Sequence, residues 1–236
     1  MNLIIVFEQD FIADNIVTLS DQRFEHIRTI YRASIGDSLR VGKLNGLMGM
    51  GTIQTMTDSH VELAVQLDQQ APNKLPLTVI LALPRPKMIR RIFRTIAELG
   101  INELIIINSY KVEKSFWHSP ALDEEKVKHY LIAGLQQAKD TVLPKVSFKR
   151  LFKPFVEDEL ATLVSGSKGL VAHPGIGTTC PHHIDQAVTL AIGPEGGFTD
   201  YEVNKFIAAG FDGIHLGERI LRVENALTAL TSKLYQ

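Results

Sequence analysis

From Leu77 to the end, the chain repeats one pattern: a short apolar run, then a longer segment with apolar residues at helical spacing. Leu77 to Leu83 is such a run and stops at Pro84. Leu104 to Ile107, Lys145 to Phe148, Gly169 to Ala172, Val188 to Ile192 and Gly213 to Leu216 follow it. Runs of this length bounded by Gly, Pro or polar residues read as strands. Between them the spacing predicts helices over Lys87–Leu99, Asp123–Lys139, Glu157–Val164 and 200–209, with a last one from about Glu224. In the first of these, Ile92, Phe93, Ile96 and Leu99 form the stripe to be buried, and Gly100 stands where a helix-ending glycine belongs. Strand–helix alternation implies an α/β domain, a mostly parallel sheet with helices on both faces. Ligands of such sheets bind outside the carboxyl ends of the strands. Three predicted strands end in turns suited to this: His173-Pro174-Gly175, Gly193-Pro194-Glu195-Gly196-Gly197 and Leu216-Gly217. If those strands are neighbours, their ends make one pocket.

The middle turn is the most informative. Its glycines allow backbone groups to approach a ligand with no Cβ between. Thr199 followed by Glu202 has the capping-box spacing, so a helix starts directly after it. No Gly-Lys-Ser/Thr follows, and the spacing is not that of a dinucleotide fingerprint. Glu195 would repel a polyanion, so a neutral or cationic ligand held by backbone groups fits better. On spacing alone a plain tight turn stands as an equal alternative, and Glu195 could instead cap the helix at Thr199.

Residues 1 to 70 read differently, as a small β domain. Strands are expected at Leu3–Phe7, Ser38–Val41, Met48–Met56 and His60–Leu67, with glycines at 42, 46, 49 and 51 for turns and bends. One helix interrupts, with Ser20 as its expected N-cap and Phe24, Ile27 and Tyr31 at helical spacing. Residues 71–76, with two prolines, are the expected linker, and 77–236 the second domain.

Composition narrows the function classes. Hydrophobic residues at 45% and charged ones at 22% suit a globular chain. No stretch is long and apolar enough to span a membrane, and Met1 to Phe7 reads as a first strand rather than a leader. One cysteine excludes an internal disulfide and fits a reducing cytoplasm. Cys180, His182 and His183 are too few ligands for zinc without a second pair elsewhere, so no metal is expected. A net charge of −1 argues against a uniformly basic nucleic-acid binder, yet local clusters exist. Arg23, Arg28 and Arg32 share one short segment. Arg85, Lys87, Arg90, Arg91 and Arg94 form a run with no acid, and Lys111 and Lys114 could extend it. Solvated helix faces are the commoner reading of such residues; phosphate contact is the sharper one.

Taken as ordered pairs, Ile192-Gly-Pro-Glu-Gly-Gly-Phe198 and Leu216-Gly-x-Arg-Ile-Leu-Arg-x-Glu224 resemble the signature of the RsmE family, SPOUT-class methyltransferases acting on N3 of a uridine in 16S ribosomal RNA. The resemblance runs over nearly the full length. It implies an N-terminal PUA-like β-barrel that binds RNA, then a SPOUT α/β domain with a deep C-terminal trefoil knot. It also implies a homodimer, the small ribosomal subunit as partner, and S-adenosyl-L-methionine as cofactor. Carried over, the cofactor residues are Leu170, Ala172, His173, Ile192, Gly193, Pro194, Glu195, Gly196, Gly197, Leu216, Gly217, Ile220 and Leu221. A cationic sulfonium is compatible with Glu195 and needs no phosphate cradle.

Uracil N3 is a poor nucleophile until its proton leaves. An arginine could stabilise the developing anion and a carboxylate could take the proton. Arg222 and Glu224 are the candidates, with Arg219 as second choice. By themselves Arg222 and Glu224 read as an exposed helix start with a weak ion pair; the resemblance favours a role for Arg222 and leaves Glu224 open. The chain departs from the family pattern at Thr95, Asp140 and Asn225, on the RNA side. A methyltransferase with another RNA target, or an RNA-binding homologue without activity, is therefore also expected to be compatible.

Overall fold

The structure is a computed structural model that describes residues 2–235. It divides into two compact units, one of residues 2–73 with Ile132–Leu143, the other of Lys74–Leu131 with residues 144–235. The stretch 132–143 lies far along the chain from the rest of the first unit, which no linker signal announces.

The first unit is a six-stranded sheet. Its strands are β1 (Ile4–Val6), β2 (Phe11–Ala13), β3 (Ile16–Leu19), β4 (Ser38–Lys43), β5 (Met48–Met56) and β6 (Val61–Gln69), in the order β1-β4-β5-β6-β3-β2. β1 pairs with β4 in parallel, and the other pairings are antiparallel. The sequence pattern did not mark β2 and β3, which are short and separated by only Asp14-Asn15. Alternation puts Ile4 and Val6 into the main core with Val17, Leu19, Phe24, Ile27, Ile53 and Leu63. Leu3 and Ile5 face the other way and pack with Met48 and Ile132. β1 is thus buried on both faces, which explains its unbroken apolar run. Gly49 is where β5 and β6 come closest: a Cβ there would overlap the carbonyl of Gln66.

The interrupting helix is α1 (Gln22–His26), continued by a π turn over Ile27–Tyr31. Its N-cap is Asp21, whose carboxylate accepts from the Arg23 N–H, and not Ser20. Both residue types cap well. Asp21 wins because its carboxylate also binds the Arg23 guanidinium.

The second unit carries a seven-stranded parallel sheet of β7 (Leu75–Ala82), β8 (Ile101–Ile107), β9 (Lys145–Lys149), β10 (Lys168–Ala172), β11 (Thr178–Thr179), β12 (Val188–Ile192) and β13 (Asp212–His215). The order is β11-β13-β10-β12-β7-β8-β9. Central strands β7, β8 and β12 are nearly all apolar, as parallel strands covered on both faces must be. Its helices are α2 (Pro86–Glu98), the first half of α3 (Glu124–Ala138, which from Ile132 on belongs to the first unit), α4 (Phe152–Pro154), α5 (Leu160–Val164), α6 (Asp200–Ala208) and α7 (Val223–Tyr235). α2 buries Ile89, Ile92, Phe93, Ile96 and Ala97 and ends before Gly100 at φ 67°. Leu99, expected in the stripe, is only half buried because it is already the C-cap.

Candidate functional site

β13, β10 and β12 are adjacent, and the register sets Ala172 level with both Ile192 and Ile214. The three strand-end turns therefore leave the sheet side by side. Together with the start of α7 they enclose a cavity of about 380 Å³, within the range of small-molecule pockets.

The glycine loop is pinned from several directions. A Cβ on Gly193 would stand 2.8 Å from the backbone nitrogen of Phe198, so only glycine fits there without moving the chain. Gly197 donates to the Pro194 carbonyl at 2.8 Å. The Arg85 N–H donates to Glu195 Oε1 at 3.1 Å, and Lys111 Nζ to the Gly196 carbonyl at 2.7 Å. Beyond the loop, Glu202 Oε2 accepts from the Thr199 N–H and hydroxyl at 2.8 and 2.9 Å, closing the expected capping box. Its Oε1 accepts the Tyr110 N–H at 2.8 Å. Glu202, not Glu195, is thus the capping-box partner of the N-cap Thr199, and Glu195 instead anchors the loop to the chain beyond β7.

Apolar side chains from three segments make the remaining wall: Ile192, Ile214, Leu216 and Ile220, then Val223, Ala226 and Leu230 from α7. His173 sets Nδ1 against the Pro174 carbonyl at 2.9 Å and Nε2 against that of Phe198 at 3.3 Å. His215 Nδ1 accepts the Gly217 N–H at 3.1 Å, which leaves the proton of a neutral ring on Nε2. The charged lining groups are Lys111, Glu195 and Arg219. Such a wall suits a flat apolar ring plus a small charged group, held by main-chain donors and acceptors. It is not a polyphosphate cradle.

Of the residues expected around a cofactor, Ala172, His173, Ile192, Gly193, Pro194, Glu195, Gly196, Gly197, Leu216, Gly217, Ile220 and Leu221 line this cavity. Leu170 does not; it lies two residues back in β10, buried in the sheet. Arg222 is exposed at the start of α7 and Glu224 half buried in its first turn, both outside the lining. Residues missed as cavity walls are Lys111, Ile214, His215, Val223, Ala226 and Leu230. The α7 members follow helical spacing and could have been read from it; Lys111 comes from a distant loop and could not.

Of the arginines expected to contact RNA, Arg23 is the one that is partly buried. Its side chain is 13% exposed, and its guanidinium binds Asp10, Asp21 and the Ile5 carbonyl. Those bonds occupy the fork that a phosphate would need. Arg28 pairs with Glu25 at 2.9 Å and lies over the Phe24 ring. Arg32 is exposed and ends the π turn at φ 51°. Arg85, Lys87, Arg90, Arg91 and Arg94 are all exposed, Arg94 stacking over Tyr130. Cys180 is buried, which pushes its thiol pKa up despite nearby Lys233, and it donates to the Pro181 carbonyl. Among the described residues no group of three or more His, Cys, Asp or Glu is placed to hold a metal, and no helix is long and apolar enough to cross a membrane.

Residues 71–235 match the model of the RNA methyltransferase domain. The chain is 30% identical to ribosomal RNA small subunit methyltransferase E of Treponema pallidum, over 96% of this chain and 88% of that protein. It is 27% identical to the protein of the same name from Synechocystis, over 99% and 76%. In fold it resembles the crystal structure of ribosomal RNA small subunit methyltransferase E from Neisseria gonorrhoeae bound to S-adenosyl methionine. That likeness has a TM-score of 0.76 at 18% identity and covers 98% of this chain and 95% of that one. A Legionella pneumophila methyltransferase solved with the same cofactor gives a TM-score of 0.72 at 20% identity, over 98% and 96%.

Proposed function

The chain belongs to the RNA methyltransferase family, and from that premise we propose that it methylates N3 of a uridine in 16S ribosomal RNA with S-adenosyl-L-methionine. The observation that carries this reading is the cavity at the ends of β13, β10 and β12, walled by main chain and apolar side chains. Its lining fits the cofactor: Ile192, Leu216 and Leu230 would face an adenine ring, and backbone groups of 193–197 and 216–217 would hold its polar edges. Glu195 and the adjacent carbonyls suit the positive charge.

When bound, the cofactor supplies an electrophilic methyl carbon; the protein must bring the uracil ring in line with it. Holding both partners in one geometry is worth several kcal/mol of barrier. Arg222, exposed and flanked in sequence by the lining residues Leu221 and Val223, stabilises the uracil anion as the N3 proton leaves. Glu224 accepts that proton. Arg28, Arg32 and the exposed run Arg85, Lys87, Arg90, Arg91 and Arg94 contact RNA phosphates, a salt-sensitive contribution. Residues 1–70 serve as a PUA-like RNA-binding barrel, and 77–236 as the catalytic domain.

The finer fold belongs to the same proposal. The loop 173–187 donates from His183 and Ile184 to the carbonyls of Lys233 and Leu234, as expected if the C-terminal segment threads a trefoil knot beneath it. Ile220 at 81% exposure and Leu221 beside it offer apolar surface for a second copy, supporting a homodimer. Its substrate would place the protein in the cytoplasm with the small subunit. Titration with S-adenosyl-L-methionine, followed by mapping of methyluridine in 16S RNA from a deletion strain, tests the proposal. Saturable binding and loss of one N3-methyluridine are expected; no binding by the wild type overturns it.

A further inference from the structure

A second opening is lined by the residues on either side of Lys111, Tyr110 and Val112. It is an open cleft of about 700 Å³ where the end of β8 meets the start of α6. Asn108, Ser109 and Tyr110 form one bank, Thr199 and Tyr201 the other, and Phe152 and Lys153 the end. Two features of this cleft point to a ligand. Tyr110 is 84% exposed and Tyr201 56% exposed, so two phenol rings are presented to solvent at its rim. Ser109 is only 3% exposed, and its Oγ has no hydrogen-bond partner among the described residues. A buried hydroxyl without a partner is destabilising, and a ligand that pairs with it would remove that penalty.

The charges narrow the ligand. Lys114 and Lys153 line the cleft and are exposed. Glu202, the acid in the lining, is buried, with both oxygens already accepting from Thr199 and Tyr110. Nearby Glu157 is paired with Lys205, which also lies over the Tyr201 ring. Exposed aromatic rings between lysines are the stacking platform of single-stranded nucleic acid. Position fixes which nucleotide. Tyr110 and Lys111 are consecutive, one facing each opening.

We propose that this cleft holds an unpaired base of the RNA strand next to the target uridine, stacked on Tyr110 or Tyr201, with Ser109 Oγ bonded to the base edge and Lys114 and Lys153 on its phosphates. The inference rests on the methyltransferase reading above. It adds a site that grips the strand after the target nucleotide has been turned into the cofactor cavity, and so holds the single-stranded form against re-pairing.

The test measures binding of a fluorescent single-stranded RNA carrying the target region, methylation of unmethylated small subunits, and cofactor titration, all on the full chain. Tyr110→Ala combined with Tyr201→Ala is expected to weaken RNA binding at least tenfold and to raise KM for the subunit, with cofactor affinity unchanged. Phenylalanine at both positions should restore most of the binding, because the ring and not the hydroxyl stacks. Ser109→Ala should change preference among homopolymer RNAs more than total affinity. Alanine variants that bind and methylate like an active wild type would overturn the cleft while leaving the methyltransferase reading intact. A wild type that neither binds cofactor nor methylates would overturn both. Alanine variants that turn a dimer into a monomer in light scattering would make the cleft a subunit contact and also overturn it.

Discussion

Lys111 donates its Nζ to the carbonyl oxygen of Gly196 at 2.7 Å, so a side chain from beyond β8 holds the outer peptide of the glycine loop. The bond is exposed, and its loss should loosen the loop without unfolding the unit. We expect Lys111→Ala to weaken S-adenosyl-L-methionine binding several-fold with no change in thermal midpoint beyond a degree or two, consistent with about 0.5–1.5 kcal/mol for one hydrogen bond. Calorimetric titration beside a melting curve checks this.

Two glycines of the same loop should respond unequally. Alanine at Gly193 places a Cβ 2.8 Å from the Phe198 backbone nitrogen, so the main chain must move. Alanine at Gly196 meets only the flexible methylenes of Lys111, at 2.9 Å. Cofactor affinity should fall more than tenfold for Gly193→Ala and much less for Gly196→Ala. Equal losses would mean that the loop is not the binding element.

Arg222→Ala and Glu224→Gln should separate chemistry from binding. Both residues stand outside the cavity lining, so cofactor affinity should hold. Loss of a group that stabilises a developing anion typically lowers kcat by about 10²–10³. Single-turnover methylation at saturating cofactor measures it; an unchanged rate would remove Arg222 from the mechanism.

The ion cluster at Arg23 predicts a stability effect. Asp10 is buried against that guanidinium, and removing one partner of a buried pair leaves an uncompensated charge. Arg23→Ala should cost on the order of 3 kcal/mol in urea unfolding. Burial alone would raise the Asp21 pKa, but the bonds from Arg23 outweigh it and hold the carboxyl below its usual 3.8. A depressed carboxylate contributes stability above its unfolded pKa and loses it as pH falls through the lower folded value. The wild type should therefore lose stability below about pH 3.8, and the variant should show less of that loss.

At the alkaline end Tyr235 takes over. Burial, partly offset by a backbone hydrogen bond, pushes its phenol from 10.0 up to about 12, and its hydroxyl donates to the carbonyls of Pro76 and Gln186. Its contribution is complete below pH 10 and lost as pH rises towards about 12. Tyr235→Phe should flatten stability over that window. Tyrosinate absorbance during a pH titration checks the assignment.

The α/β alternation and the capping box were legible because they rest on local chemistry. Val188–Ile192 is bounded as its Gly-Pro stop predicted, and Thr199–Glu202 closes as spaced. Adjacency of the three strand ends was only conditional in the sequence. Periodicity identifies strands but not their order, and β10, β12 and β13 become neighbours through pairings across the chain. The pairing of Arg23 with Asp10 was not legible either, because the two are brought together only by folding. Lys111 escaped as a cavity wall for the same reason, since its partner is 85 residues away. Glu195 likewise pairs with a remote partner, Arg85, 110 residues away.

The wall contributed by Val223, Ala226 and Leu230 has a consequence for biosynthesis. In chain order these residues follow every other wall of the cavity. During translation the sheet and the glycine loop can emerge and pair while this face is still inside the exit tunnel. A nascent chain therefore passes through a stage in which the fold is largely built and the pocket is open on one side. A cavity closed on all sides therefore requires this helix to be made and docked after the other walls.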